Sequence, residues 1–180
     1  MNNSALAAID AFVGDGHNVM SVDDEYLIPI IEKAIESGKS ASFYLPQYQA
    51  DAVNEWYWTP DWVEATGLEE VSREERARIA SELGIEDIGP FCSNRIQCGC
   101  GQTYGAFEFL QQGIREHGPE VVRGIFGLRN SALLHVNPPH VPVCPNCDRR
   151  LEGGGDEVLV AGGHYYGKGK YAGCCRPKII

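Results

Sequence analysis

The chain has 180 residues, of which 43% are hydrophobic and 22% charged, and it carries a net charge of −10. These are values for an ordinary globular protein, with room for one large domain or two small ones. No long charge-free apolar run is present, which excludes a membrane-spanning helix, and the acidic balance opposes binding to phosphate backbones. Met1 to Asp10 lacks the basic start and long apolar stretch of a secretory signal, so a cytoplasmic protein is expected. The charge is unevenly spread. Residues 1–90 hold 18 acidic and 5 basic side chains, a balance of −13, whereas residues 91–180 hold 7 and 10, a balance of +3. All seven cysteines lie in the second half. The sequence therefore reads as an acidic, mainly helical module over 1–89 and a cysteine-rich, metal-binding module over 90–180, an α+β protein as a whole.

In chain order, Leu27, Ile30, Ile31, Ala34 and Ile35 follow the spacing of an amphipathic helix. Ser21 with Asp24 predicts a capping box ahead of it, and Gly38 a stop. Pro29 either kinks this helix or falls in its first turn. Ala41 to Leu45 reads as a short strand. Thr59 before Pro60 has the pattern of an N-cap followed by proline at the first helical position. Ser72-Arg73-Glu74-Glu75 is a second capping box, opening a helix that ends near Gly84. With little apolar surface beyond Ile79 and Leu83, that helix is expected on the outside, and Gly84 to Pro90 is expected as a linker. Further on, Phe107, Leu110 and Ile114 have helical spacing up to His117-Gly118, and Pro119 starts a second short helix to about Phe126. Ala132–Val136 and Glu157–Ala161 read as strands of a small sheet.

The acidic half contains a dense aromatic run. Phe43, Tyr44, Tyr48, Trp56, Tyr57, Trp58 and Trp62 are seven of the chain's 17 aromatics within 20 residues. One reading is the core of a helical module. The other is a partner surface built on Trp56, Tyr57, Trp58 and Trp62 and rimmed by acidic residues, because large rigid rings make good interface anchors. Consecutive Trp56, Tyr57 and Trp58 cannot all face one core layer.

The strongest chemical signal is the pair Cys98-Gly99-Cys100-Gly101 and Cys144-Pro145-Asn146-Cys147. In a reducing compartment cysteines serve as metal ligands or buried thiols, not disulfides. Two tight turns, each aiming two thiolates at one point, satisfy a tetrahedral metal and leave no open position. The candidate ligands are Cys98, Cys100, Cys144 and Cys147, with zinc as the metal. The two motifs resemble the zinc-ribbon class over about Ile96–Leu151, although 43 residues separate Cys100 from Cys144. The resemblance implies a small zinc-stabilised β-sheet, here carrying a helical insertion, and a structural site.

Three cysteines remain. Cys92, Cys174 and Cys175 can be inert, can build a second metal site with His140 or His164, or can include a reactive thiol favoured by Lys170, Arg176 and Lys178. His135 and His140 flank a Pro-Pro break without the helix and carboxylate context of a metallonuclease. Gly162 to Lys168 matches a phosphate-loop spacing, but Gly169 stands where a metal-binding Ser or Thr is required. Lys168 and Lys170 beside Tyr165, Tyr166 and Tyr171 are suited to nucleic-acid contacts. No complete catalytic constellation is present. The sequence is read first as a zinc-stabilised, non-enzymatic interaction or regulatory protein whose partner is another protein. An enzyme using Cys92, Cys174 or Cys175, and nucleic-acid binding by residues 91–180, are the alternatives.

Overall fold

The computed structural model describes residues 19–37, 39, 41–61, 69–86, 88, 91–93, 95–128, 130–136, 141–151 and 158–159. Strand β1 (Val19–Met20) leads through a 3-10 turn, Asp24–Tyr26, into helix α1 (Leu27–Ser37). Strand β2 (Ala41–Pro46) runs directly into α2 (Gln47–Tyr57), and β3 (Glu69–Glu70) precedes α3 (Arg73–Arg78). The chain then passes through a π-helical turn, Ile79–Leu83, to β4 (Cys92–Ser93), β5 (Ile96–Gln97) and β6 (Thr103–Tyr104). Helices α4 (Ala106–His117) and α5 (Pro119–Phe126), then β7 (Ser131–Val136) and β8 (Val158–Leu159), complete the described elements. Both helices and small, largely antiparallel sheets are present, an α+β composition.

Proline placement explains several boundaries. Pro29 is the third residue of α1, so its missing N–H removes no bond inside the helix. The Ser21–Asp24 box does not form the start. The extended residue before the 3-10 turn is Asp23, whose side chain makes no capping bond. Ser72 does cap α3, its hydroxyl accepting from the Glu75 N–H at 3.1 Å. The Glu75 carboxylate, however, does not return to Ser72 to close the box. It accepts from the Phe107 N–H at 3.2 Å, at the start of α4. Glu108 accepts from the Gly105 N–H at 2.9 Å, so two carboxylates stabilise one helix N-terminus. Gly84 closes the π-helical turn with φ of 64°, a left-handed conformation that favours glycine. A Cβ there would also stand 2.9 Å from an Arg123 nitrogen, whose guanidinium caps the Leu83 carbonyl.

The first sheet has the order β1-β2-β7, with β1 parallel and β7 antiparallel to β2. Ala41, Phe43 and Leu45 oppose Val136, Leu134 and Ala132, and these side chains form one apolar face under α1 and α2. Leu27, Ile31, Ala50 and Val53 cover Phe43 and Leu45, both of which are fully buried. Ser42 opposes His135, and its hydroxyl lies 2.9 Å from His135 Nδ1. A second core gathers Val71, Ile79, Leu83, Ile85, Ile88 and Phe91 with Phe107, Leu110 and Val122.

Several expectations change at this point. Ala132–Val136 was expected in the cysteine-bearing sheet, but the strand formed there, Ser131–Val136, pairs with β2. It has six residues with bonds to satisfy, and Ala41–Pro46 is the other six-residue strand among the described residues. Helices α1 and α2 of the acidic half pack on a sheet that a strand from the other half completes. Within the expected linker, Ile85 and Ile88 are buried in the second core. Ile79 and Leu83 are likewise core residues, which holds α3 and its π-turn against α4. A cut between residues 89 and 90 would separate β2 from β7 and divide that core.

Phe43→Ala is expected to cost about 3–5 kcal/mol, the usual range for a large-to-small change at a fully buried aromatic. Hydrogen exchange on this variant should show residues 41–46 and 131–136 losing protection together. Loss confined to 41–46 would mean that the ladder is not one cooperative unit.

Candidate metal centre

The four cysteines sit on two hairpin-like turns. In the first, β5 and β6 pair through Ile96 with Tyr104 and Gln97 with Thr103. The intervening loop is closed by Cys98 N–H to the Gln102 carbonyl and Gly101 N–H to the Cys98 carbonyl, both 2.8 Å. Gly101 has φ of 90°, so the chain reverses within the Cys-Gly-Cys-Gly run because a glycine follows the second cysteine. β8 pairs with the other edge of β5. In the second turn, Val143 bridges Arg150, Leu151 N–H donates to the Pro142 carbonyl at 2.8 Å, and Cys144 N–H donates to the Arg149 carbonyl at 2.9 Å. Asp148, immediately after Cys147, takes φ of 56°. It occupies the left-handed position that glycine usually fills, and Asp is among the few other residues that tolerate it.

These turns bring the four Sγ atoms within 4.8 Å of one another. Cys98 Sγ lies 3.6 Å from Cys147 Sγ, and Cys100 Sγ lies 3.6 Å from Cys144 Sγ. A tetrahedral ion with metal–sulfur bonds of about 2.3 Å requires sulfur–sulfur edges of about 3.8 Å. Each close contact thus joins one turn to the other. The donor set and its spacing fit a four-coordinate thiophilic metal with no protein-free position.

Each turn contributes one buried and one exposed sulfur. Cys98 and Cys144 are buried in a small core with Ile96, Tyr104 and Leu151, while Cys100 and Cys147 face solvent. Backbone N–H groups aim at the sulfurs, those of Cys100 at Cys98, Gln102 at Cys100, and Asn146 and Cys147 at Cys144. The Asn146 side-chain amide crosses between the turns and donates to Cys100 Sγ at 3.5 Å. That bond, followed by the Gln102 amide, lowers the Cys100 thiol to about 6. Burial pushes the Cys144 thiol up to about 12. For Cys98 the Cys100 amide is the largest single influence and favours the thiolate. Burial and the neighbouring Cys147 and Cys100 sulfurs outweigh it, leaving the thiol raised.

The other candidate residues are not brought to this centre. Cys92 is half-buried on β4 opposite Glu70, and among the described residues no metal-like cluster includes it. His135 faces Ser42 in the first sheet. His140, His164, Cys174, Cys175 and the Gly162–Gly169 run lie outside the described residues, as does Trp62. Trp56 is half-buried and packs against the first core. Tyr57 stacks at a tilt on Trp56, with ring centres 5.5 Å apart, and edge-on to Trp58 at 5.0 Å. The three rings are thus a continuous, partly exposed cluster at the end of α2. Among the described residues no helix is long and apolar enough to cross a membrane.

No protein-family model, curated protein or solved structure matches this chain.

Sequence reading missed Asn146 as a partner of the sulfurs. Its only signal was a short amide between the proline and the second cysteine of the pair. The left-handed Asp148 carried no signal beyond its place after Cys147.

In metal-loaded protein near pH 7, an alkylating reagent should modify the exposed Cys100 before the buried Cys144. Peptide mass mapping reads the order, and chelation should speed the reaction at all four cysteines by opening the turns. Equal rates at Cys100 and Cys144 in the loaded protein would contradict this geometry.

Proposed function

We propose that the protein is a zinc-stabilised, non-enzymatic interaction or regulatory module, with zinc held in a ribbon-like site by Cys98, Cys100, Cys144 and Cys147. The observation that carries this reading is the convergence of four sulfurs, two from each turn, within 4.8 Å. Four thiolates in a tetrahedral arrangement favour zinc over harder divalent ions. A site filled by four protein ligands leaves the metal no water to activate, so its contribution is structural. Bound zinc cross-links two turns whose own strands are only two residues long. Reduced thiols of this kind belong to a cytoplasmic setting.

The partner is proposed to be another protein, met by the aromatic cluster of Trp56, Tyr57 and Trp58 together with Trp62, which lies outside the described residues. Trp58 and Tyr57 are partly exposed, and Asp51, Glu55 and Asp61, near them in sequence, are exposed. An apolar anchor with an acidic rim suits a basic protein surface, where rings supply affinity and charges speed encounter. The same acidity opposes nucleic acid.

Elemental analysis of protein purified without added metal should find one zinc per chain. Iron in its place would keep the site and correct the metal, whereas a folded chain with no metal would end the reading. Cys147→Ser should abolish that zinc and, by hydrogen exchange, expose the amides of 96–104 and 143–151. The β2–β7 ladder should keep most of its protection, because its core contains no residue of the cysteine turns. Trp58→Ala should weaken capture of the partner protein in a pull-down while leaving the thermal melt cooperative. A variant that loses its cooperative melt would place Trp58 in the core instead.

A further inference from the structure

The segment between the two cysteine pairs contains a buried side-chain amide that none of the chemistry above uses. Gln112 lies on α4 and is 3% exposed. Its Oε1 accepts two hydrogen bonds, from the Tyr104 hydroxyl at 2.9 Å and from the Val143 N–H at 2.9 Å. Its Nε2 donates two, to the Val141 carbonyl at 2.9 Å and to Glu116 Oε1 at 2.6 Å. A carboxamide has two acceptor sites and two donor hydrogens, so the group is fully used. Its orientation is also determined, since a backbone N–H can only donate and a backbone carbonyl can only accept.

Three of these partners belong to the two cysteine turns. Tyr104 ends the hairpin that carries Cys98 and Cys100, and its ring packs in the same small core as Cys98 and Cys144. Val141 and Val143 flank Pro142 on the segment entering the second turn, and Val143 is the residue immediately before Cys144. One side-chain amide therefore ties the base of the first turn to the base of the second. It does so from a helix whose N-terminus is itself anchored by Glu75 and Glu108. Tetrahedral coordination tolerates little change in the separation of the two turns, because both close sulfur pairs run between them. A buried polar network in which every member is satisfied is rigid, and losing one member leaves the others unpaired.

We infer that Gln112 is a positioning residue for the metal centre. It sets the spacing and tilt of the two cysteine turns so that four sulfurs converge, and it makes α4 part of the metal site rather than a passive insertion. It touches none of the sulfurs and acts through Tyr104 and Val143. The inference rests on the metal reading above. Outer partners that orient ligands typically influence metal affinity by about 10- to 100-fold.

The test is a titration of the full-length chain with Co(II) alone, followed by competition with zinc. Cobalt absorption reports tetrahedral thiolate geometry directly. Gln112→Met, which keeps the length but loses all four bonds, should weaken cobalt affinity about 10- to 100-fold and broaden or shift the absorption bands. Gln112→Glu keeps the acceptor atom for Tyr104 and Val143 but loses both donors and faces Glu116, so it should fall between Met and wild type. Tyr104→Phe, which keeps the ring and removes one bond, should show the same spectral change to a smaller degree and guards against misfolding of the Gln112 variants. A folding role alone would lower the melting temperature of metal-loaded protein in all variants, with wild-type cobalt spectra and affinity once saturated. That result would overturn the inference while leaving the metal site intact. A wild-type chain that takes up no cobalt or zinc would overturn both.

Discussion

Four cysteine sulfurs within 4.8 Å of each other are a demanding arrangement. If all four ionise, their mutual repulsion in a partly buried site is severe. If all remain protonated, poor hydrogen bonds are the main return for bringing them together. A divalent cation would resolve the conflict by favouring the thiolates, with the surrounding amides sharing the remaining negative charge. The contrast within the site shows the same tension. Burial opposes ionisation of Cys144, while the Asn146 amide beside solvent-facing Cys100 favours it. Both turns, their short strands and the small core of Ile96, Tyr104 and Leu151 make structural sense around that point.

The rest of the molecule supplies what the metal turns cannot. Strands of two residues bury too little to hold position alone, and the turns lean on α4 through Tyr104, Phe109 and Gln112. Phe109 packs against both the sulfur-bearing core and the core of Phe107 and Leu110. The N-terminus of α4 is stabilised by the Glu75 carboxylate from α3, which is in turn held by the buried Ile79 and Leu83. A chain of contacts therefore runs from the first half of the sequence to the metal turns. The β2–β7 ladder adds a second link between the halves, since residues 41–46 find their partners at 131–136.

The sulfur cluster and the aromatic cluster belong to different cores. Two of the four sulfurs are buried and two face solvent. The aromatic run at the end of α2 lies instead on the sheet-bearing part, where Trp56 packs inward and Trp58 is partly open to solvent. Trp56 and Tyr57 are consecutive on the helix and point about 100° apart, while Trp58 at the C-cap has left helical geometry, with φ of −91° and ψ of 56°. Under the proposed function, this division would let a metal stabilise one region while a different face meets a partner.

The four clustered cysteines were legible because metal-binding chemistry leaves a local signature. Cysteines separated by one or two residues on glycine- or proline-bearing turns have few other uses in a reduced protein. The helices at Leu27–Ser37, Ala106–His117 and Pro119–Phe126 were legible for a similar reason, since periodic apolar residues and proline or glycine ends act within a few residues. Pairing of strands and partners of long side chains were not. Nothing local in Ser131–Val136 distinguishes a partner in the metal sheet from Ala41–Pro46, and only the matching lengths and shared apolar face decide it. Ile85 and Ile88 looked like linker residues because glycine and proline flank them, yet packing against Phe107 and Leu110 buries them. Glu75 satisfied a local capping pattern but reaches a helix 32 residues away, and Gln112 was one amide among several on an amphipathic helix. Residue type and short-range spacing thus determined which atoms can bind a metal. The tertiary structure alone decided how those atoms are brought together, because hydrogen bonds and burial between distant segments depend on the whole path of the chain.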